Sequence, residues 1–351
     1  MKKITLLMVT AIISQAIWGQ TADSAKEGKL VISGSADAYY RYNFNNAKDS
    51  MHTNNLTSFT NSQNSFELGM ASVKADYSIG RTEAVLDLGF GRRAEEFSYN
   101  DKGTLAAIKQ AYISYAPSGK VKFTFGKWST HIGYEMLDAY LNRNYSMDYM
   151  FSYGPFFHTG IKADITVNKN FAFMLGVINP TDMSTASFAK KSFVAQLHGI
   201  TSNNKINAYL NYLGGKDIAD ASVNQADVML TATVSNKFSI GYNGTVKSVK
   251  PKNSNTNSWW ASALYLNYDP VKLFGVTLRG EYFDDKKMVA GLGTNIYEFT
   301  LSGNIHLDNL TIIPEFRLDG AKDPLFYKNA DTFSPSAKNT GSFILAATYH
   351  F

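Results

Sequence analysis

The last ten residues, Ser342 to Phe351, read SFILAATYHF, and their apolar or aromatic side chains recur at every second position. On an extended chain Phe343, Leu345, Ala347, Tyr349 and Phe351 share one face, while Ile344, Ala346, Thr348 and His350 share the other. A strand that ends on an exposed phenylalanine gains little in water. As the closing strand of an outer-membrane barrel, it places such rings in lipid and at the membrane interface. The expected fold class is therefore all-β, a transmembrane antiparallel up-and-down β-barrel.

The start of the chain agrees. Met1-Lys2-Lys3 is a short basic segment, Ile4 to Ile17 is an apolar run, and Gly19 offers a small residue for cleavage before the polar stretch from Gln20. This is the layout of a secretory signal peptide, and the run is too short for a spanning helix. The expected organisation is a signal peptide at 1–19, a short periplasmic segment at 20–28 and a barrel at 29–351.

Composition narrows the class. Without Lys2 and Lys3 the exported chain carries 32 basic against 29 acidic side chains, about +3, a balance that gives no argument for nucleic acid. The chain has no cysteine, which excludes a disulfide scaffold, a cysteine zinc site and a thiol nucleophile. Beyond the signal, no apolar run approaches the roughly 18 residues of a membrane helix. Yet the chain holds 21 Tyr and 23 Phe against 4 Trp, most of them in alternating segments. Such a chain still resides in a membrane when its apolar residues occupy alternate positions.

The alternation recurs along the whole chain. In the first segment Leu30, Ile32, Gly34, Ala36, Ala38, Tyr40, Tyr42 and Phe44 lie opposite Ser33, Ser35, Asp37, Arg41 and Asn43. Further strands are expected at about 65–77, 82–90, 106–115, 121–128, 156–167, 171–178, 191–201, 206–213, 226–234, 238–249, 259–268, 273–283, 295–307, 310–318 and 342–351, giving about sixteen. The second slips phase between Met70 and Ala71, which marks either a bulge or a strand boundary placed one residue off. Short turns rich in Asn, Asp, Gly, Ser and Pro alternate with longer polar loops. Outer-membrane barrels have this pattern, with short periplasmic turns, long external loops and both termini on the periplasmic side.

One connection is not merely polar. Ser129 to Pro155 contains Ile132, Tyr134, Met136, Leu137, Tyr140, Leu141, Tyr145, Met147, Tyr149, Met150 and Phe151, so it is expected to pack against something. Either it folds into the lumen, with Glu135, Asp138, Arg143 and Asp148 as candidate pore-lining charges, or it packs over the rim or against a neighbouring protomer.

Four segments carry a resemblance. GKWSTHIGYE at Gly126 to Glu135, SYGPFFHTGIK at Ser152 to Lys162, LRGEYFDD at Leu278 to Asp285 and IIPEFRLDGA at Ile312 to Ala321 resemble the OmpL-like outer-membrane β-barrel porins. The resemblance spans the chain from the first strand to Phe351 and implies a porin-type channel, without supplying a substrate or a set of pore residues.

Period two assigns the remaining candidates. With Phe274, Val276, Leu278 and Tyr282 on lipid, Arg279 and Glu281 face inward; with Leu310, Ile312, Phe316 and Leu318 on lipid, so do Glu315, Arg317 and Asp319. Glu298, with Thr300, Ser302 and Asn304, lines the strand between them. Neighbouring strands are about 4.8 Å apart, so these groups are expected to form one charged ladder, which either sets a transverse field across the pore or stiffens the wall by salt bridges. Asp37, Arg41 and Lys162 complete the candidate pore lining. The signs balance too closely to assign an ion preference.

The expected function is an outer-membrane porin passing small hydrophilic solutes or ions by passive diffusion, with no cofactor, no metal and no catalysis. Its partners are outer-membrane lipid, the solutes, the barrel-assembly machinery through the C-terminal strand, and possible further copies in a homo-oligomer. The alternatives are a non-conducting barrel acting as an adhesin or structural protein, or a barrel enzyme such as a lipase. For the enzyme, the six scattered histidines offer no HExxH spacing and no G-x-S-x-G elbow occurs.

Overall fold

The protein is described by a computed structural model at residues 27–46, 53–329 and 334–351. The expected signal peptide and most of the 20–28 segment lie outside the described residues. Sixteen antiparallel strands close into one barrel, each paired with its sequence neighbours and β1 with β16. They are β1 Lys29–Asn43, β2 Ser65–Ile79, β3 Thr82–Phe90, β4 Ile108–Ser118, β5 Val121–Ser129, β6 Phe157–Asn168, β7 Phe171–Ile178 and β8 Ser192–Ile200. The second half runs β9 Ile206–Lys216, β10 Ser222–Thr233, β11 Phe238–Lys250, β12 Asn257–Val271, β13 Phe274–Asp284, β14 Asn295–Leu307, β15 Leu310–Ala321 and β16 Asn339–His350. Two short helices, α1 at Arg92–Phe97 and α2 at Tyr149–Ser152, lie in the external connections. No helix among the described residues is long and apolar enough to cross a membrane.

Closure follows from the terminal strand. Residues Ser35 to Asn43 pair with His350 to Ser342, and past the end of β16 the Phe351 N–H and C=O still bond Gly34 at 3.0 and 3.1 Å. The ladder therefore has no open edge, the condition for a sheet to sit in hydrocarbon. Outward side chains are apolar and exposed, as with Ile113 (61%), Phe125 (62%) and Phe299 (53%), because their solvent is lipid. Tyr77, Tyr115, Tyr268 and Tyr349 ring the periplasmic end, and Tyr212, Trp260 and Tyr297 the external end, as interfacial girdles do.

Two of the local breaks in the ladder bear on the inner wall. Asp37 pairs with Met70 and Ala38 with Leu68, so Gly69 is the extra residue of a bulge, one position before Met70 in the expected phase slip. A Cβ on Gly69 would lie 1.8 Å from Asp37 Oδ2 and 2.7 Å from the Tyr145 hydroxyl, so glycine is needed for their approach. On β15, Pro314 has no N–H to give. The β14–β15 pairing accordingly skips from Ser302↔Glu315 to Ile305↔Ile312.

The external loops are L1 (44–64), L2 (91–107, carrying α1), L3 (130–156, carrying α2), L4 (179–191), L5 (217–221), L6 (251–256), L7 (285–294) and L8 (322–338). The apolar core lies inside the barrel, between these loops and the inner wall. Tyr149 and Met150 of L3 pack against Trp259, Ala261, Ala263 and Tyr265 of β12 and Phe283 of β13. The small Ala261 and Ala263 make room for those rings. A second cluster joins Phe59 of L1, Ala94 and Phe97 of L2, and Leu137, Met147, Phe151 and Phe156 of L3. Burying each such side chain stabilises the loop by about 1.5–3 kcal/mol, which explains why so apolar a connection leaves water.

Candidate functional site

L3 lies within the lumen, and its path can be followed from one inward-facing side chain to the next. Leaving β5, it meets β9, where the Tyr212 carbonyl accepts from His131 Nε2 at 3.2 Å. A carbonyl only accepts, so His131 holds its proton on Nε2, and its Nδ1 accepts from His158 Nε2 at 3.2 Å. The Gly133 N–H then reaches Asp227 Oδ1 of β10 (3.4 Å), the Tyr134 N–H reaches Asn243 Oδ1 of β11 (3.1 Å), and the Tyr134 ring stacks on Tyr265 of β12 at 4.2 Å.

The middle of the loop is fastened to β13–β15 by charges. Glu315 accepts the N–H groups of Tyr145 (2.7 Å) and Ser146 (3.1 Å), and Glu281 those of Tyr149 (2.7 Å) and Met150 (2.9 Å). Between them, Arg279 donates to the Ser146 carbonyl at 2.7 Å and Arg317 to the Met147 carbonyl at 2.6 Å. The wall thus satisfies consecutive backbone groups that have no ladder partner, each of which is costly to bury unmade. Within the loop, Asp148 accepts the Phe151 N–H at 2.6 Å as N-cap of α2, and Glu135 accepts the Asp148 N–H at 2.8 Å.

The sequence candidates fall into three places. Arg279 bridges Glu298 of the next strand (3.0 Å) and Glu135 of the loop (2.5 Å), and Arg317 pairs with Asp319 of its own strand at 2.8 Å, both under the loop. The Tyr149 hydroxyl donates to Asp319 (2.9 Å), the Tyr145 hydroxyl to Asp37 (2.6 Å) and the Tyr265 hydroxyl to Asp148 (2.7 Å). Asp138 pairs with Lys109 at 2.5 Å, and Arg143 pairs with Asp269 while donating to Thr277 at 2.7 Å. Asp37, Glu135, Asp138, Arg143, Asp148, Arg279, Glu281, Glu298, Glu315, Arg317 and Asp319 therefore belong to one loop–wall assembly and are buried or nearly so. Arg41 sits elsewhere, beneath L1. Lys162 also stands apart on β6, paired with Asp164 at 3.1 Å.

Some contributors gave no sequence signal. Arg93 of α1, fully buried, donates to the Leu137 carbonyl at 3.0 Å and lies 3.8 Å from Asp37. Lys127 pairs with Asp101 at 2.8 Å and sits 3.8 Å over the Phe157 ring. Asp182 of L4 accepts the N–H groups of Phe156 (2.6 Å) and Phe157 (2.9 Å) where L3 rejoins the wall, and burial pushes its carboxyl up to about 6. Arg93 and Asp182 lie on short external segments whose inward direction no periodicity announces, while Lys127 lies on β5 at the parity of the outward Phe123 and Phe125. Among the described residues, no group of three or more His, Cys, Asp or Glu is arranged to hold a metal ion.

The fold is that of solved porins. The outer membrane channel DcaP of Acinetobacter baumannii is 11% identical with a TM-score of 0.64, covering 92% of this chain and 97% of its own. An anion-selective porin from Comamonas acidovorans is 10% identical at 0.61, covering 93% and 100%. In-vitro folded OmpT, an outer membrane protein of Vibrio cholerae, is 12% identical at 0.60, covering 94% and 99%. Comparison with curated protein sequences finds no match. Residues 29–351 match the family described as "Putative beta-barrel porin-2, OmpL-like", and the chain belongs to that family of outer-membrane channels.

Proposed function

We propose that this chain lets small hydrophilic solutes cross the bacterial outer membrane by passive diffusion, through a lumen narrowed by L3. The observation that carries the reading is the fastening of L3 to the inner wall by Glu281, Glu315, Arg279 and Arg317. A barrel this wide holds an aqueous channel unless it is plugged, and a loop fixed across it narrows that channel. The thirteen candidate residues then divide into those that shape the constriction through L3 and those, like Lys162, that line the water-filled wall. Export by the 1–19 signal, membrane insertion through the C-terminal strand and the absence of catalysis belong to the same reading. OmpT of Vibrio cholerae has a trimer form, and a homo-oligomer is proposed here by analogy.

The density of the external end favours one rival, a non-conducting barrel that acts as an adhesin or scaffold. Liposomes carrying the purified protein separate the two. Swelling in isotonic sugars, fast for small sugars and slow for large ones, is expected of the channel; protein-loaded liposomes that swell no faster than empty ones would establish the rival.

A further inference from the structure

The mouth of the barrel holds a second element besides L3. In L1, Thr53, Asn54, Thr57, Phe59, Thr60 and Ser62 are buried rather than solvated. Arg41 of β1, itself 2% exposed, donates to the carbonyls of Thr53 (3.0 Å), Asn54 (3.3 Å) and Ser62 (2.6 Å), so one guanidinium holds both ends of the segment. Its far side rests on L2 and L3. The Ser58 N–H donates to Ser152 Oγ (3.0 Å), the Tyr153 hydroxyl to the Leu56 carbonyl (2.9 Å), and the Phe59 N–H to Glu96 Oε2 (2.6 Å). The Phe59 ring packs on Phe151 and Phe156 at 6.0 and 5.7 Å.

Two observations mark this contact as one that parts. Phe59 has a φ of +77°, a left-handed conformation that a bulky side chain adopts only when its surroundings impose it. A cavity of about 300 Å³ also runs along the junction, with Asn55, Ser58 and Asn61 of L1 on one side and Glu96, Ser152 and Tyr153 on the other. Beside the buried Phe59 ring the seam is polar and already hollow, so water can take over its hydrogen bonds once that ring leaves Phe151 and Phe156. L3 is held on the wall by charge-assisted bonds at Glu281, Glu315, Arg279 and Arg317, whereas the seam relies on those of Glu96 and of the exposed Arg92, which donates to the Asn61 carbonyl at 2.8 Å.

We propose that residues 53–64 of L1 form a lid that sets the outer size limit of the channel, swinging on the Arg41 anchor away from Ser152 and Tyr153 while L3 stays on the wall. The proposal rests on the channel reading. The chain has no cysteine, so Ser58→Cys with Ser152→Cys adds an isolated pair across the seam. In planar bilayers, the oxidised double variant is expected to conduct at least about fivefold less than its reduced form, with recovery in dithiothreitol. A second variant, with residues 55–61 replaced by two glycines, is expected to conduct at least about twofold more than wild type. Equal conductance of the reduced protein and of protein shown by mass to be cross-linked overturns the lid, as does wild-type conductance from the shortened variant. Silence of both wild type and the shortened variant overturns the channel reading itself.

Discussion

Glu281 of β13 holds Tyr149 of L3: the carboxylate accepts the Tyr149 N–H at 2.7 Å with one oxygen and the Met150 N–H at 2.9 Å with the other. An amide in its place has only one accepting oxygen, and its NH₂ would face a second donor. Glu281→Gln is therefore expected to cost about 2 kcal/mol of loop anchoring and to raise open-channel current noise, read from single-channel traces of heat-modifiable, folded barrel. Noise identical to wild type would show that Glu281 does not position L3.

Gly69→Ala tests the bulge. Its Cβ would fall 1.8 Å from Asp37 Oδ2 and 2.7 Å from the Tyr145 hydroxyl, so the Asp37–Tyr145 bond has to give way. The expected loss is about 1–3 kcal/mol in urea unfolding from detergent, with Tyr145→Phe producing a smaller loss at the same site.

The strands were legible because a wall with lipid on one side and polar groups on the other imposes period two, and Arg279, Glu281, Glu315 and Arg317 face inward as that period requires. What they touch was not legible. The partners of Glu281 are backbone N–H groups of residues 149 and 150, fixed by the path of a loop that follows no period. The apolar content of L3 announced that it packs, but not on which wall. L1 gave less still: TNNLTSFTNSQN at 53–64 has only Leu56 and Phe59 as apolar side chains and reads as a solvated loop. Its burial depends on Arg41, whose acceptors are carbonyls rather than any particular side chain.

The junction of L3 with L4 should respond to pH. Asp182 is pushed up to about 6 from an ordinary value of 3.8, so the fold favours the protonated form. Its contribution is fully present below about 3.8 and is lost as pH rises through about 6. Protease resistance of the L3–L4 region is accordingly expected to fall as pH rises from about 4 to about 6 and to level off above that. Asp182→Asn, neutral throughout, should abolish that slope.

The outer face makes a separate demand. Leu264 lies mid-strand on the lipid side of β12, so Leu264→Arg is expected to destabilise the barrel by about 2–4 kcal/mol in bilayer unfolding. Lys162→Ala on the inner wall removes a partly exposed pair with Asp164 and a distant contact with the Trp128 ring at 5.9 Å, and should change stability by less than about 1 kcal/mol.

The most direct test of the central claim is single-channel recording of the purified, refolded chain in a planar bilayer under a salt gradient. Discrete, reproducible open levels and a defined reversal potential are expected, with L3 or L1 variants changing the size of the step. Folded, membrane-inserted barrel that yields no steps at any voltage, in wild type and loop variants alike, would contradict it.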